Sequence, residues 1–206
     1  MKNKDSNEDG GKDVNKSLNA KKEKAPEIVQ IDTPCGDKVL REEAKLVSVE
    51  KISSLKIQNL LEDMKKALYG QSDGVALAAP QIDVSLQIFI IHPSAFDRYD
   101  DSEIKITGTD KYETVFINPE IIKISKDKKK MEEGCLSVRP WYGKVKRASR
   151  ATVKALNEKG EEFTMEASGL VAQIFQHEID HFYGVLFIDK AQNLRELDIE
   201  GYEHKD

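Results

Sequence analysis

Residues 168–184 read Ser-Gly-Leu-Val-Ala-Gln-Ile-Phe-Gln-His-Glu-Ile-Asp-His-Phe-Tyr-Gly. The stretch predicts a helix that Ser168 can cap and that stops near Gly184. His177 and His181 stand at i and i+4, so they share one helical face about 5–6 Å apart at Cβ, and both imidazoles can reach one ion. Glu178 follows the first histidine, which places its carboxylate beside an ion held there. The chain has four histidines, and two of them fall in this motif. The flanks are apolar on both sides (Ile174, Phe175, Phe182, Val185, Leu186, Phe187), which predicts a buried helix. Buried imidazoles need partners.

A catalytic metal site usually has three protein ligands and one open position. Cys135 is one candidate for the third ligand. It lies in Glu132-Glu133-Gly134-Cys135-Leu136-Ser137, where Gly134 lets the backbone turn just before the thiol. A thiolate with two imidazoles suits iron, zinc, cobalt or nickel, and not magnesium or calcium. The competing candidates are Glu196 and Glu200, 15 and 19 residues beyond His181. A zinc endopeptidase with two histidines and a glutamate would use such a carboxylate.

Outward from these motifs the chain alternates short apolar runs with turn signals. Ser53 to Tyr69 predicts an amphipathic helix with Ser53 or Ser54 as cap and Gly70 as stop. Gln87 to His92 predicts a buried strand. Residues 94–113 read as loop, and Val115–Pro119 and Glu120–Ile124 as strands. Lys126–Lys130 reads as a solvated hairpin tip. Ala151–Leu156 and Glu162–Met165, joined by Asn157-Glu-Lys-Gly160, predict a hairpin. Short strands with two separated helices give an α+β domain.

The composition narrows the function class. The chain has 206 residues, 33% of them charged, a net charge of −5 and two cysteines. The mildly acidic balance argues against a general electrostatic grip on nucleic acid. Two cysteines cannot build a disulfide framework. No apolar run approaches the roughly 18 residues of a membrane helix. Residues 1–24 hold seven lysines and five acids, so they carry +2 and the remainder −7. That stretch has too little apolar surface to offset its ordering entropy, which predicts a disordered tail over residues 1–25. It has no apolar h-region and its first arginine comes only at Arg41, so it reads neither as a secretory signal nor as an organelle presequence. An acidic C-terminal tail is expected over 191–206.

Three motifs occur in order: Gly74-Val-Ala-Leu-Ala-Ala-Pro-Gln81, Glu133-Gly-Cys-Leu-Ser137 and His177-Glu-Ile-Asp-His181. In this order and at these separations the chain resembles the peptide deformylases, over roughly Ile28 to Asp189, including Asp37-Lys-Val-Leu-Arg41. The resemblance implies an α+β catalytic domain over 26–190, with antiparallel β-sheets around a central helix that carries the two histidines. It implies one divalent ion, most often Fe2+ with Zn2+, Ni2+ or Co2+ able to replace it, held by Cys135, His177 and His181 with water in the fourth position. It also implies removal of the N-formyl group from the N-terminal methionine of new polypeptides. Glu178 would move the proton, and the Gln81 side chain and the Leu136 backbone N–H would hold the oxyanion. Gly74, Val75, Ala76, Gly134 and Gln173 would meet the substrate, with Gly74 to Leu77 forming the edge that pairs with an extended peptide. Glu133 and Arg147 match charged positions that can brace the cysteine loop. The expected partners are N-formylmethionyl nascent peptides and the ribosome near its exit tunnel, with the chain a monomer in a bacterial cytoplasm.

Two positions depart from the family pattern. Ala76 stands where glycine is usual, and its β-carbon would crowd a peptide backbone slightly. Gln173, one turn before His177, stands where an aliphatic residue is usual. It predicts a more polar pocket with a weaker preference for methionine. Trp141 and Tyr142 follow no family pattern and are read either as a groove border or as packing. The zinc endopeptidase and a non-enzymatic binder of peptide or ribosome are the competing readings, and Cys35, in a Pro-Cys-Gly turn, has no assigned role.

Overall fold

The computed structural model describes residues 24–97, 104–109 and 113–196. The predicted tail over residues 1–25 lies outside these residues apart from Lys24 and Ala25. The chain begins with a short helix α1 (Pro34–Val39), capped by the Thr33 side chain, which accepts the Gly36 N–H. Helix α2 (Leu55–Tyr69) follows, with Ser54 as its cap. Strands β1 (Ala76–Ala78), β2 (Ile88–Ile91), β3 (Lys105–Thr107), β4 (Val115–Ile124), β5 (Lys128–Gly134), β6 (Trp141–Ala148), β7 (Arg150–Leu156) and β8 (Glu162–Ser168) precede helix α3 (Gly169–His181), and β9 (Gln192–Glu196) ends the described chain. The strands form a six-stranded sheet, β1-β2-β4-β7-β8-β3, and a three-stranded sheet, β5-β6-β9. Every strand pair is antiparallel.

The period of two along the strands divides the core between two helices. Ile88 and Ile90 of β2, Val115 and Ile117 of β4, and Leu77 of β1 face α2, where Ile57, Leu61, Met64 and Leu68 cover them. Phe89, Ile91 and Phe116 face the other way, toward Val171, Phe175 and Ile179 of α3. Phe89 and Phe116 stack at 4.5 Å between ring centres, and Phe116 meets Phe175 at 5.4 Å. These rings anchor α3 by burial and by their offset contacts. The helix is buried along almost its whole length, from Val171 through Ile179 and again at His181. Its two histidines are therefore held on a packed element.

Several expectations about the edges change. Lys105–Thr107, inside the stretch read as loop, forms β3 and pairs with β8; a three-residue edge strand carries too little alternation to read alone. Val115–Ile124 is a single strand that bends where Asn118 adopts φ +51°. Lys128–Lys130 is not a hairpin tip. It belongs to β5, whose outer edge is free among the described residues, and lysines are at home on such an edge. Gln192–Glu196 pairs with β6, so the structured chain runs past the boundary expected at 190. The remainder of the expected acidic tail, 197–206, lies outside the described residues. Cys35 is exposed within α1 rather than in a free turn.

Arg41 ties α1 to the segment after α3. It donates to both carboxylate oxygens of Asp189, at 2.5 and 3.1 Å, and to the Gly184 carbonyl at 3.1 Å. Gly184 has φ +67°, and a β-carbon there would lie 2.3 Å from the Arg41 carbonyl oxygen, so only glycine fits. Burial raises the Asp189 pKa, but the Arg41 guanidinium and the Leu186 N–H outweigh it and hold the carboxyl below the usual range. A carboxyl with a depressed pKa stabilises the fold above its unfolded pKa and loses that contribution as pH falls through the folded value. Because the pair is partly exposed, Asp189→Asn should cost only about 0.5–1 kcal/mol at pH 7. Urea unfolding should show the deficit begin to shrink below about pH 4 and vanish as pH falls through the lower folded value. A deficit of equal size at pH 3 would assign the effect to shape and not to charge.

Candidate active site

Two elements bring the predicted ligands together. Helix α3 supplies His177 and His181, and the turn that follows β5 supplies Cys135. The ligand atoms of these three residues all lie within 4.8 Å of one another, and no other such group occurs among the described residues. Cys135 Sγ is 3.4 Å from His181 Nε2. His177 Nδ1 is 2.7 Å from Glu133 Oε1, which leaves Nε2 of that ring for an ion. Burial holds His181 well below the ordinary histidine pKa, so it stays a neutral donor. Two buried atoms beside this group, Glu178 Oε2 and His181 Nδ1, have no hydrogen-bond partner among the described residues. One thiolate and two imidazoles fit a transition metal such as iron or zinc and do not fit magnesium or calcium. Glu196 lies exposed on β9 opposite Trp141, outside the cluster, so it is not the third ligand. Glu200 lies outside the described residues.

Glu133 organises the site from behind. Arg147 Nη2 donates to its Oε1 at 2.6 Å and Arg147 Nε to its Oε2 at 3.0 Å. Both side chains are only 4% exposed. Burial alone would raise the Glu133 pKa, but hydrogen bonds from His177 and Arg147 overcome it and hold the carboxylate well below its usual range. Arg147 also donates to Asp180 Oδ2 at 2.6 Å, and Lys190 shares that oxygen. Glu178 behaves in the opposite way: burial pushes its pKa up to about 7.

A cavity opens in front of these groups. Gly74, Val75, Ala76 and Gln81 line one wall, Gly134, Cys135 and Leu136 another, and Leu170, Gln173, Ile174, His177 and Glu178 the floor; Asp73, Arg139 and Tyr142 stand at its rim. Gln81 sits in a 3-10 turn after β1. Its Oε1 accepts the Ala78 N–H at 2.8 Å, which turns Nε2 toward Cys135 Sγ (3.4 Å) and Ser137 Oγ (3.2 Å). Gln30 Nε2 donates to the Leu136 carbonyl at 2.9 Å and so holds, from its C-terminal side, the residue whose N–H the sequence singled out. Gly134 ends an extended strand. Its glycine is required by space and not by a tight turn, because a β-carbon would meet the Tyr142 ring at 2.4 Å. Ala76 is buried on β1, an end strand of its sheet paired only with β2 among the described residues. Trp141 is exposed and does not line the cavity, whereas Tyr142 does.

A sequence profile described as polypeptide deformylase matches residues 27–196. The chain belongs to the polypeptide deformylase family. The peptide deformylase of Halothermothrix orenii is 44% identical over 161 residues, spanning 78% of this chain and 92% of its own length. That of Agrobacterium fabrum is 39% identical over 159 residues, spanning 77% and 85%. Among solved structures, the peptide deformylase of Legionella pneumophila superposes with a TM-score of 0.67 at 36% identity, covering 82% of this chain and 88% of that one. The Thermotoga maritima peptide deformylase gives 0.66 at 33% identity, covering 82% and 99%. The deformylase reaction is hydrolysis of the N-formyl group of newly made polypeptides, and the family is metal-dependent. The zinc endopeptidase and the non-enzymatic binder are not favoured.

The sequence reading missed Ser137, Asp180, Asp73 and Arg139, whereas Tyr142 was one of the two residues it read as a groove border. Asp180 carried a faint signal, a charge inside an otherwise apolar helix three residues after His177. The others depend on chain crossings that leave no local pattern. If Cys135, His177 and His181 form the metal set, Cys135→Ala and His181→Ala should each abolish tight zinc uptake in equilibrium dialysis. Cys35→Ala and Glu196→Ala should bind zinc as the wild type does. Removing one partner of the buried pair, as in Arg147→Met, should destabilise the fold by about 3–5 kcal/mol in denaturant titration.

Proposed function

We propose that this deformylase works through Glu178, Gln81 and Leu136 around an ion held by Cys135, His177 and His181. When bound, the ion supplies Lewis-acid chemistry: it lowers the pKa of a water and draws charge from the formyl oxygen. The single observation that carries the reading is the convergence of a thiol, two imidazoles and a buried carboxyl of raised pKa on one cavity. Near neutral pH a carboxyl with a pKa of about 7 gains and loses a proton with little free-energy change. Glu178 takes the proton from the attacking water and delivers it to the departing amine. Gln81 Nε2 and the Leu136 N–H donate to the oxyanion that forms on the formyl oxygen. Gln81 is already oriented for this, since the Ala78 N–H occupies its carbonyl oxygen.

The substrate is the N-formylmethionyl end of a nascent chain. Gly74, Val75 and Ala76 lead into the free edge of β1 and add the peptide as a further strand, reading its backbone and not its side chains. Leu170 and Ile174 supply the apolar floor for the methionine side chain, with Gly134 and Gln173 beside it. Fe2+ is the proposed ion, with Zn2+, Ni2+ and Co2+ as substitutes the same donors accept. A thiolate beside an oxidisable ion calls for a reducing compartment, which is why we place the protein in the cytoplasm of a bacterium. No described helix is long and apolar enough to cross a membrane. By family resemblance the chain acts as a monomer on peptides leaving the ribosome.

Hydrolysis of formyl-Met-Ala-Ser by protein loaded in turn with Fe2+, Zn2+, Ni2+ and Co2+ tests the reading. Fe2+ should give the highest kcat/KM. Glu178→Ala should keep its metal and lose turnover, and Gln81→Leu should lower kcat about 100–1,000-fold. Full turnover by metal-loaded Glu178→Ala would sink the assignment.

A further inference from the structure

We propose that Gln173 is a positioning residue for the metal centre: its amide ties the strand leading to Cys135 to the helix bearing His177 and His181, and completes the hydrogen-bond shell of Glu133. This inference rests on the reading that those three residues hold the ion.

An ionised carboxylate such as Glu133 offers about four acceptor sites. Oε1 faces Arg147 Nη2 at 2.6 Å and His177 Nδ1 at 2.7 Å. Oε2 takes Arg147 Nε at 3.0 Å and Gln173 Nε2 at 3.1 Å. With Gln173 in place all four sites are used and the carboxylate plane cannot turn. The second N–H of the same amide goes to the Glu132 carbonyl at 2.8 Å. Glu132 is in β5, three residues before Cys135, whereas Gln173 is in α3, one turn before His177. One side chain, 6% exposed, thus joins the two elements whose ligands must share one ion.

Arg147 does not replace this link. It stands on β6, paired with Lys129 of β5, and its guanidinium is shared among Glu133, the Gln176 carbonyl at 3.4 Å and Asp180 at 2.6 Å. It leaves the second site of Glu133 Oε2 and the Glu132 carbonyl to Gln173. Without Gln173, Oε2 of a buried carboxylate loses a donor and the carboxylate gains freedom to pivot about its Arg147 contact. The His177 ring takes its orientation from that carboxylate, so its ligating nitrogen loosens with it. Gln176, three residues further along, provides the contrast. Its amide is equally buried, but it bonds to the Ala148 N–H and carbonyl and to the Ala172 carbonyl, none of which touches Glu133.

The test uses the full chain loaded with Zn2+ and an excess of chelator, with the rate of zinc release as the readout. Gln173→Met keeps the length of the side chain without its donors, and should release zinc about 10–100-fold faster than wild type. Loaded with Co2+, it should show shifted visible absorption bands. Gln176→Met should release zinc at the wild-type rate, even if its melting temperature falls. Gln173→Leu serves as a second variant should Gln173→Met not fold. Wild-type release by the folded Gln173 variant, with or without a raised KM for formyl-Met-Ala-Ser, would overturn the proposal and leave Gln173 as a pocket wall. Equal acceleration in Gln176→Met would also overturn it, by assigning the effect to general loosening of α3. His181→Ala is the control for the underlying reading: wild-type zinc retention in that variant would sink the ligand set itself, whereas lost retention there with wild-type release in Gln173→Met would sink only this inference.

Discussion

The Glu133 carboxylate is the point at which the strand leading to Cys135 and the helix bearing both histidines are fastened together. Taking a carboxylate and a guanidinium out of water is costly, and their attraction compensates only when geometry and hydrogen bonding are good. Here every acceptor site is used: Arg147 binds in a bidentate fork, His177 takes one oxygen and Gln173 the other. The arrangement makes Glu133 a permanent anion, and a permanent anion dictates which nitrogen of His177 faces the cavity. Glu178, one residue beyond His177, lacks such partners and is pushed toward neutrality by burial. Two glutamates in one site thus have their pKa values pushed in opposite directions, because one is surrounded by protein donors and the other is not.

The rest of the fold holds this joint still. The six-stranded sheet is covered by α2 on one face and α3 on the other, and the alternation of Ile88, Phe89, Ile90 and Ile91 shows that division within four residues. Because α3 is buried along nearly its whole length, its functional side chains have little freedom. The short strand β1 stays at the end of the sheet, so its outer edge faces the cavity that α3 floors. The three-stranded sheet delivers Glu133, Gly134 and Cys135 from the other side. A peptide added to the β1 edge, as proposed, would thereby pass the Cys135, His177 and His181 cluster.

Some of this was legible in the sequence, for reasons that can be named. His177, Glu178 and His181 declare themselves because helical spacing is a local property. The hairpin of β7 and β8 is legible because its two strands are adjacent and its turn carries Asn157 and Gly160. Cys135 required more. A cysteine after a glycine is ambiguous by itself, and only its position between two other motifs distinguished it from Glu196. The edges were read poorly. β3, β9 and the lysine-rich start of β5 carry weak or misleading patterns, because an edge strand is defined by the partner it pairs with and that partner lies far along the chain.

Spacing and motif order in the sequence alone therefore established the α+β class and pointed to the residues of the proposed site, His177, Glu178 and His181 by helical spacing and Cys135 by its place between two other motifs. Each of these follows from short-range periodicity or from motif order. The tertiary structure decided what those residues experience. It showed that Gly134 is needed for the Tyr142 ring, that Gln81 is oriented by the Ala78 N–H, and that the amide of Gln173 is spent on Glu132 and Glu133. It also decided that the pKa of Glu133 is lowered and that of Glu178 raised. Burial and hydrogen-bond partners set such properties, and both come from segments as much as a hundred residues apart, which no local pattern in a sequence records.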